Sequence, residues 1–246
     1  RRQRQMCIRD SVYVVSNLHG PVSAPSSGIT VSGTPSLTAN TGVITVSATG
    51  AINLAGATLS AAQSVTVQST QRGVTLHNVT GSSIVTSGTT LDIQGVLVGT
   101  DSVKLSHSES MLLHGGISTK AVILDGQSSR AKLVFSRTDG ASSPYDFSPV
   151  ITGTAGLEVS TGAVRFSGSS PDYAGSLSVS SGATAEVTGN LSKASGSISG
   201  TLTGTGSLGV VTALTGSVIG ATAGSGNALS FAGFNPGTPA DTWGGT

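Results

Sequence analysis

Residues 43–76 read VITVSATGAINLAGATLSAAQSVTVQSTQRGVTL, and the pattern in this stretch decides the fold. Pairs of apolar residues with one residue between them, such as Ile44 and Val46, alternate with Gly, Ser and Asn. This alternation predicts short β-strands whose side chains point by turns into a core and out to solvent. The first pair returns 21 positions later as Val65 and Val67. The stretch therefore predicts strands that recur at a regular interval.

An offset of 20 to 22 residues recurs along the rest of the chain. It separates Ile44 from Val65, Ile52 from Val74, Val74 from Val96, Leu157 from Leu177, Val164 from Ala185, Leu177 from Ile198, and Leu208 from Leu229. A period of this length is typical of a solenoid, and the sequence lacks the regularly placed Asn of a leucine-rich repeat. We therefore predict an all-β fold, a right-handed parallel β-helix with about 20–22 residues per coil and about 4.8 Å between stacked strands.

An antiparallel β-sandwich or barrel is the alternative fold, because it also contains many short strands and turns. That fold favours Asn-Gly hairpin turns, and the sequence contains no Asn-Gly pair; nor does that fold predict a constant offset. Aromatic residues make up 4% of the chain, charged residues 9% and hydrophobic residues 37%, and Gly occurs 35 times. This composition fits the narrow core of a β-helix and excludes a disordered chain. No apolar run approaches the roughly 18 residues of a membrane-spanning helix.

Residues 1–11 (RRQRQMCIRDS) resemble a translated sequencing adapter and nothing that follows. We therefore expect them to be an artefact, with a basic N-terminal arm as the alternative. They hold four of the 12 Lys and Arg residues, one of the 11 Asp and Glu residues and the only Cys. Without them, 8 basic and 10 acidic residues change the net charge from +1 to −2. The remaining chain has no thiol for a metal or a nucleophile, and no basic cluster that predicts nucleic-acid binding.

The remainder of the sequence divides into three parts by composition. Residues 12–135 carry most of the charged and His positions and form the first predicted β-helix section. Residues 136–150 (SRTDGASSPYDFSPV) interrupt the alternation with two prolines, which predicts a loop insertion that leaves the stack. Residues 151–246 are dominated by Gly, Ser, Thr, Ala and Val and form the second section, which we expect to be truncated at its C-terminal end.

Residues 156–192 resemble the autotransporter-associated β-strand repeat, and residues 198–220 resemble the tract that often follows it. The matching positions are Gly156, Leu157, Gly162, Phe166, Gly168, Tyr173, Gly175, Leu177, Val179, Gly182 and Val187. Asp172 and Ala185 depart from the pattern of the repeat. Residues 28–135 resemble large β-helical exoproteins, including filamentous-haemagglutinin-like adhesins, in a more general way.

The resemblance implies an autotransporter passenger domain or adhesin fragment on a bacterial cell surface or secreted from it. Such a fragment is a non-catalytic structural stalk or adhesive surface, and its translocator barrel is expected outside these residues. The expected partner is a glycan or protein of a host or a neighbouring cell. Self-association through exposed end rungs, as in a surface matrix protein, is a further expectation. We expect no cofactor, no metal and no nucleic acid.

The rival function is that of a β-helical polysaccharide lyase or glycoside hydrolase. Asp101, Asp125 and Asp146 are separated by 24 and 21 residues, close to one coil each. This spacing predicts a column of carboxylates about 5 Å apart, a separation that retaining glycosidases use. Asp125 precedes Gly126 and fits a turn equally well, and Asp146 lies in the Pro-rich segment. We therefore predict no catalytic residue.

Two other groups of residues have the chemistry of a site. His107, Glu109 and His114 lie close together in the sequence, but they are too few to predict a metal site.

Tyr145, Asp146 and Phe147 are the candidate ligand-binding residues, because aromatic rings in a Pro-flanked loop can stack against a glycan or protein. The alternative is that both rings fold back onto the β-helix.

Overall fold

The computed structural model describes residues 11–16, 28–31, 33–221 and 228–236. In these residues the chain is all β, and its parallel strands stack as a β-solenoid of about 10 turns. The prediction of an all-β parallel solenoid is confirmed, and parallel strands exclude the antiparallel sandwich or barrel. Most of the predicted adapter and the expected C-terminal truncation, at residues 1–10 and 237–246, lie outside the described residues.

The chain splits into two compact units, Arg1–Ala131 (unit 1) and Lys132–Thr246 (unit 2). No described segment forms a helix with the length and apolar character needed to cross a membrane.

Unit 1 contains 14 of the described strands. They are β1 (Ser11–Ser16), β2 (Ile29–Thr30), β3 (Ser36–Ala39), β4 (Val43–Ala48), β5 (Ile52–Asn53), β6 (Thr58–Ala61), β7 (Ser64–Ser69), β8 (Val74–Leu76), β9 (Asn78–Gly88), β10 (Leu91–Ile93), β11 (Val96–His107), β12 (Ser110–Leu113), β13 (Gly116–Ser118) and β14 (Ala121–Leu124). One sheet stacks β1, β4, β7, β9, β11 and β14, and a second stacks β2, β5, β8, β10 and β12. The short strands β3, β6 and β13 extend the first sheet beside β9 and β11.

Unit 2 contains 13 described strands. They are β15 (Lys132–Ser136), β16 (Tyr145–Phe147), β17 (Val150–Gly153), β18 (Gly156–Thr161), β19 (Ala163–Phe166), β20 (Ser176–Val179), β21 (Thr184–Val187), β22 (Asn190–Leu191), β23 (Ser195–Ile198), β24 (Thr201–Gly204), β25 (Ser207–Ala213), β26 (Val218–Ile219) and β27 (Ser230–Asn235). One sheet of the unit stacks β15, β18, β20, β23 and β25, and β22 and β27 also pair with β25. Another stacks β16, β19, β21, β24 and β26.

Columns of buried apolar side chains, one from each turn, explain why the strands stack in register. In unit 1, Ile44 pairs with Val65, Val65 with Ile84, and Ile84 with Val103. Val103 pairs in turn with Val122, and all five side chains are 0% exposed. Burial of each such side chain stabilises the fold by roughly 1.5–3 kcal/mol. A slip of one residue would turn the whole column towards solvent, so burial fixes the register.

The length of a turn varies more than the sequence predicts. Four of the predicted stacking pairs are confirmed, namely Ile44 with Val65, Ile52 with Val74, Leu157 with Leu177, and Val164 with Ala185. The other three predicted pairs are wrong.

Val74 pairs with Leu91 instead of Val96, Ile198 with Val179 instead of Leu177, and Leu208 with Phe231 instead of Leu229. The corners between strands differ in length from turn to turn, and the core is not disturbed by this. A constant offset therefore overstates the regularity of the chain.

Stacked glycines form one corner of unit 2. A Cβ atom on Gly189 would overlap the carbonyl oxygen of Gly168, and a Cβ atom on Gly206 would overlap that of Gly189. Backbones approach this closely only where neither residue has a side chain. The corner therefore accounts for part of the high glycine content of the sequence.

Candidate functional site

The three predicted ligand-binding residues form a strand instead of a loop. Residues 137–144 leave the strands, but Tyr145, Asp146 and Phe147 make up β16, which pairs in register with β19. Phe147 stacks on Phe166, and its side chain is only 1% exposed. Because successive side chains of a strand point to opposite sides, Asp146 points outward where Phe147 points inward. The apolar–polar–apolar order of these three residues was the sequence signal for this arrangement.

Aromatic rings fill the core of unit 2 beside β16. The ring centroid of Phe135 lies 5.2 Å from that of Phe147 and 5.4 Å from that of Phe166, both in edge-to-face geometry. Such pairs contribute about 0.5–1.5 kcal/mol beyond the area that they bury. The Phe147 ring therefore stabilises the core and presents no face to solvent.

The face of the Tyr145 ring is covered by the protein itself. The guanidinium carbon of Arg137 lies 4.1 Å from the ring centroid, a cation–π contact. Arg137 Nε also donates to Asp139 Oδ2 at 2.8 Å, and the Arg137 side chain is 13% exposed. Of the three candidates, only Asp146 is exposed. A role for these residues in ligand binding stays a prediction, and on this geometry it would depend on Asp146.

Asp146 belongs to a column of charged side chains on the outer face of the sheet. Asp146 pairs in register with Arg165, and Arg165 pairs with Glu186 on the next strand. Arg165 Nε donates to Glu186 Oε2 at 2.7 Å, while Ser167 Oγ donates to Asp146 Oδ1 at 2.6 Å. We call Asp146, Arg165 and Glu186 the charged column. Sequence reasoning missed Arg165 and Glu186, although opposite charges 21 positions apart were a usable signal.

The geometry of the charged column limits what it can do chemically. The strands that carry its two carboxylates are two strand spacings apart, about 9.6 Å, which is just beyond the range of an inverting glycosidase. The Arg165 guanidinium lies between them, where such an enzyme would hold a water molecule. Its ion pair with Glu186 instead neutralises one carboxylate. The Glu186 side chain is only 12% exposed.

Asp101 and Asp125 do not stack on each other, so their predicted column is wrong. Asp101 accepts from Ser82 Oγ at 2.7 Å and from Lys120 Nζ at 3.1 Å, each partner 19 residues away. Asp125 instead pairs with Lys104 Nζ at 3.0 Å. The turns here are 19 residues long, so an offset of 24 residues does not return to the same column. The hydrogen bond from Ser82, and then the contact with Lys120, lower the pKa of Asp101.

Ion pairs in the described residues mostly join neighbouring turns. In unit 2, Lys132 pairs with Glu158, and Lys193 Nζ lies 2.6 Å from Asp172 Oδ1. The Lys193 hydrogen bond and charge lower the pKa of Asp172, one of the two departures from the resembled repeat. The pair of Arg137 and Asp139 instead lies within one segment. Most of these charged side chains are thus neutralised by a partner on the turn above or below.

The His and Glu residues that lie close together in sequence are separated in the structure. His107 is 0% exposed, with Nε2 at 2.9 Å from Thr86 Oγ1, whereas Glu109 is exposed. His114 lies on the surface, with Nε2 at 3.6 Å from Asp92 Oδ1. The described residues contain no group of three or more His, Cys, Asp or Glu side chains that could hold a metal ion.

An open apolar cleft of about 420 Å³ lies in the last described turn of unit 2. Its lining includes Ile219, Leu229, Phe231 and Phe234, and the two phenylalanine rings stack with centroids 6.0 Å apart. The neighbouring side chain of Val218 is 59% exposed.

The fold and its surface define a class of protein, a parallel β-solenoid with charges paired between turns. No protein-family model matches the chain, and no match was found among curated proteins or solved structures.

Proposed function

We propose that the chain is a non-catalytic, surface-exposed or secreted bacterial β-helical passenger or adhesin fragment that serves as a structural stalk or adhesive surface. The observation that carries this proposal is the pairing of charges between turns. The carboxylates of Asp101, Asp125 and Glu186, which a hydrolase or lyase would need free, are bound to Lys120, Lys104 and Arg165 of a neighbouring turn. Their role on this interpretation is to help fix the stacking of the strands.

The outer surface of the solenoid supports a role in display. Hydroxyl side chains stack on successive strands, as where Ser83 Oγ lies 3.3 Å from Ser102 Oγ. Hydroxyl ladders keep an outer face hydrated without charge, while the buried valine and isoleucine columns stabilise the inside. A solenoid of this kind offers a long surface to a partner instead of one deep pocket.

The proposed partner is a glycan or protein of a host or neighbouring cell, and the proposed location is a bacterial cell surface or the extracellular space. No cofactor is needed for this function. In this proposal, the translocator barrel lies outside these residues. We also propose self-association through the exposed strands at the ends of the solenoid. The apolar cleft beside Val218 is the surface that favours it.

The alternative is a polysaccharide lyase or glycoside hydrolase, and one observation favours it. The charged column places two carboxylates and a guanidinium on one outer face of unit 2. A lyase needs a base and a cation that stabilises the developing negative charge of its substrate, and both groups are present.

One experiment separates the two functions. The chain is tested for binding to an array of glycans and matrix proteins and, in parallel, for release of reducing or unsaturated sugars from a polysaccharide panel. We expect binding without turnover, and we expect Asp146→Asn to weaken binding if the charged column contributes to it. Asp172→Asn is the matched control, because Asp172 is also exposed and lies in the same unit. Sugar release that is lost in Arg165→Gln would establish the enzyme instead.

A further inference from the structure

The core of unit 1 contains a polar corner in otherwise apolar surroundings. Its members are Ser69, Thr86 and His107, which are 3%, 0% and 0% exposed. The Ser69 hydroxyl proton is committed, because Oγ donates to the Gly50 carbonyl at 2.8 Å, and Oγ also accepts from the Arg72 N–H at 3.0 Å. His107, at the end of β11, is the titratable member of this corner.

The His107 ring packs against the backbone of β9. His107 pairs in register with Gly88, and a Cβ atom on Gly88 would lie 3.5 Å from His107 Cε1. Nε2 lies 2.9 Å from Thr86 Oγ1. Nδ1 is buried without a hydrogen bond of ordinary geometry, and the Thr90 backbone is the hydrogen-bonding group that acts on the ring. The Thr90 carbonyl already accepts from the Val74 N–H at 2.9 Å.

We propose that the buried pair of Thr86 and His107 is an acid-sensitive point at which the stacked strands β9 and β11 of unit 1 open. A proton from solvent turns both ring nitrogens into N–H donors. Thr86 Oγ1 can accept from Nε2, while the Nδ1 proton depends on the Thr90 carbonyl, which already accepts from the Val74 N–H and lies outside ordinary hydrogen-bond geometry. The imidazolium also carries a charge that the closed corner holds away from water, and a buried charge without a partner is strongly destabilising.

No neighbouring carboxylate compensates that charge in the described residues. The charged side chains around the corner are Arg72 near β7 and β8, Glu109 after β11, and Asp125 on the next turn. Arg72 and Glu109 are exposed, and Asp125 is bound to Lys104 on the outer face. None of them forms a hydrogen bond to the imidazole.

The direction of the pH effect follows from burial. Burial lowers the pKa of His107 to about 4, against a smaller opposing effect from the Thr90 backbone. In the opened state the pKa returns to its ordinary value of about 6.5. The closed corner is therefore fully stabilised above about pH 6.5 and loses stability as the pH falls towards 4. The opening equilibrium should increase about 100-fold between pH 7 and pH 4.

Hydrogen exchange measured by mass spectrometry on the full chain tests the proposal. Exchange of peptides from β9 and β11 is compared at pH 7 and pH 4 after correction for the intrinsic exchange rate. We expect protection of these strands to fall about 100-fold, the change given by the shifted equilibrium. His107→Gln should remove that loss, because glutamine hydrogen-bonds to Thr86 without titrating. His114→Gln is the matched control and should keep the wild-type response.

The proposal is overturned if β9 and β11 stay equally protected at pH 4, or if His107→Gln opens as the wild type does. A second measurement covers the case in which this variant does not fold. The chemical shift of the His107 Cε1 proton, followed by NMR in the wild type, should titrate near pH 4. Titration near pH 6.5 would show that the ring is not held neutral by the corner.

Discussion

Tyr173 and Gly175 show how two positions of the resembled repeat depend on each other. Tyr173 is 0% exposed, and its hydroxyl donates to the Ala155 carbonyl at 2.7 Å. Burial raises the pKa of Tyr173 well above its ordinary value, so the hydroxyl stays protonated and can donate. A Cβ atom on Gly175 would overlap this hydroxyl. The ring cannot turn away without losing a buried hydrogen bond, so the glycine is required.

Gly175→Ala should therefore destabilise unit 2 by about 2–4 kcal/mol, through overlap with a side chain that has no room to move. Urea unfolding followed by circular dichroism measures the change. Gly140→Ala is the control, because a Cβ atom there meets nothing within 4 Å, and its stability should not change. Equal stability of the two variants would show that Tyr173 adjusts at little cost.

Strand β16 illustrates what the sequence could and could not predict for an element. Two prolines and a run of small residues indicated a loop over residues 136–150, and residues 137–144 do lie outside the strands. The apolar–polar–apolar order of Tyr145, Asp146 and Phe147 fits a strand, but three residues are too few to outweigh the prolines that predict a loop. The burial of Phe147 depends on Phe135 and Phe166, which lie on other strands, so no local pattern could establish it.

Within β16, Phe147→Ala should cost about 3–5 kcal/mol, because it removes a buried ring and leaves a cavity between Phe135 and Phe166. Asp146→Ala on the same strand should change stability by less than about 0.5 kcal/mol, because its side chain is exposed. Both values come from urea unfolding. If Phe147→Ala were as mild as Asp146→Ala, the aromatic rings would not form the core of unit 2.

At the scale of the whole molecule, the first residues of the chain provide a direct test of what belongs to the fold. Deleting residues 1–10 should leave the free energy of unfolding within about 0.5 kcal/mol of the full chain, because an adapter-like sequence is not expected to pack. The net charge should change from +1 to −2, since four Arg and one Asp are lost. Urea unfolding and anion-exchange retention at pH 7 measure the two effects. A large loss of stability would show that the segment is part of the protein.

The sequence by itself determined that the chain winds into stacked parallel strands. Three properties of the sequence indicate this fold: apolar residues alternate with polar ones, they return after about one turn, and aromatic and charged residues are scarce. These properties are local or periodic, so a corner that is one or two residues longer or shorter does not remove them.

The tertiary structure decided the stacking wherever a turn departs from the predicted length, as where Val74 pairs with Leu91. Corners of unit 1 and unit 2 accept extra or missing residues, so the sequence offset does not determine the register. Burial of columns such as Ile44, Val65 and Ile84 determines it instead. The same register separates Asp101 from Asp125 and brings Asp146 beside Arg165. Which charges meet, and whether they neutralise each other, is therefore fixed only when the turns are packed.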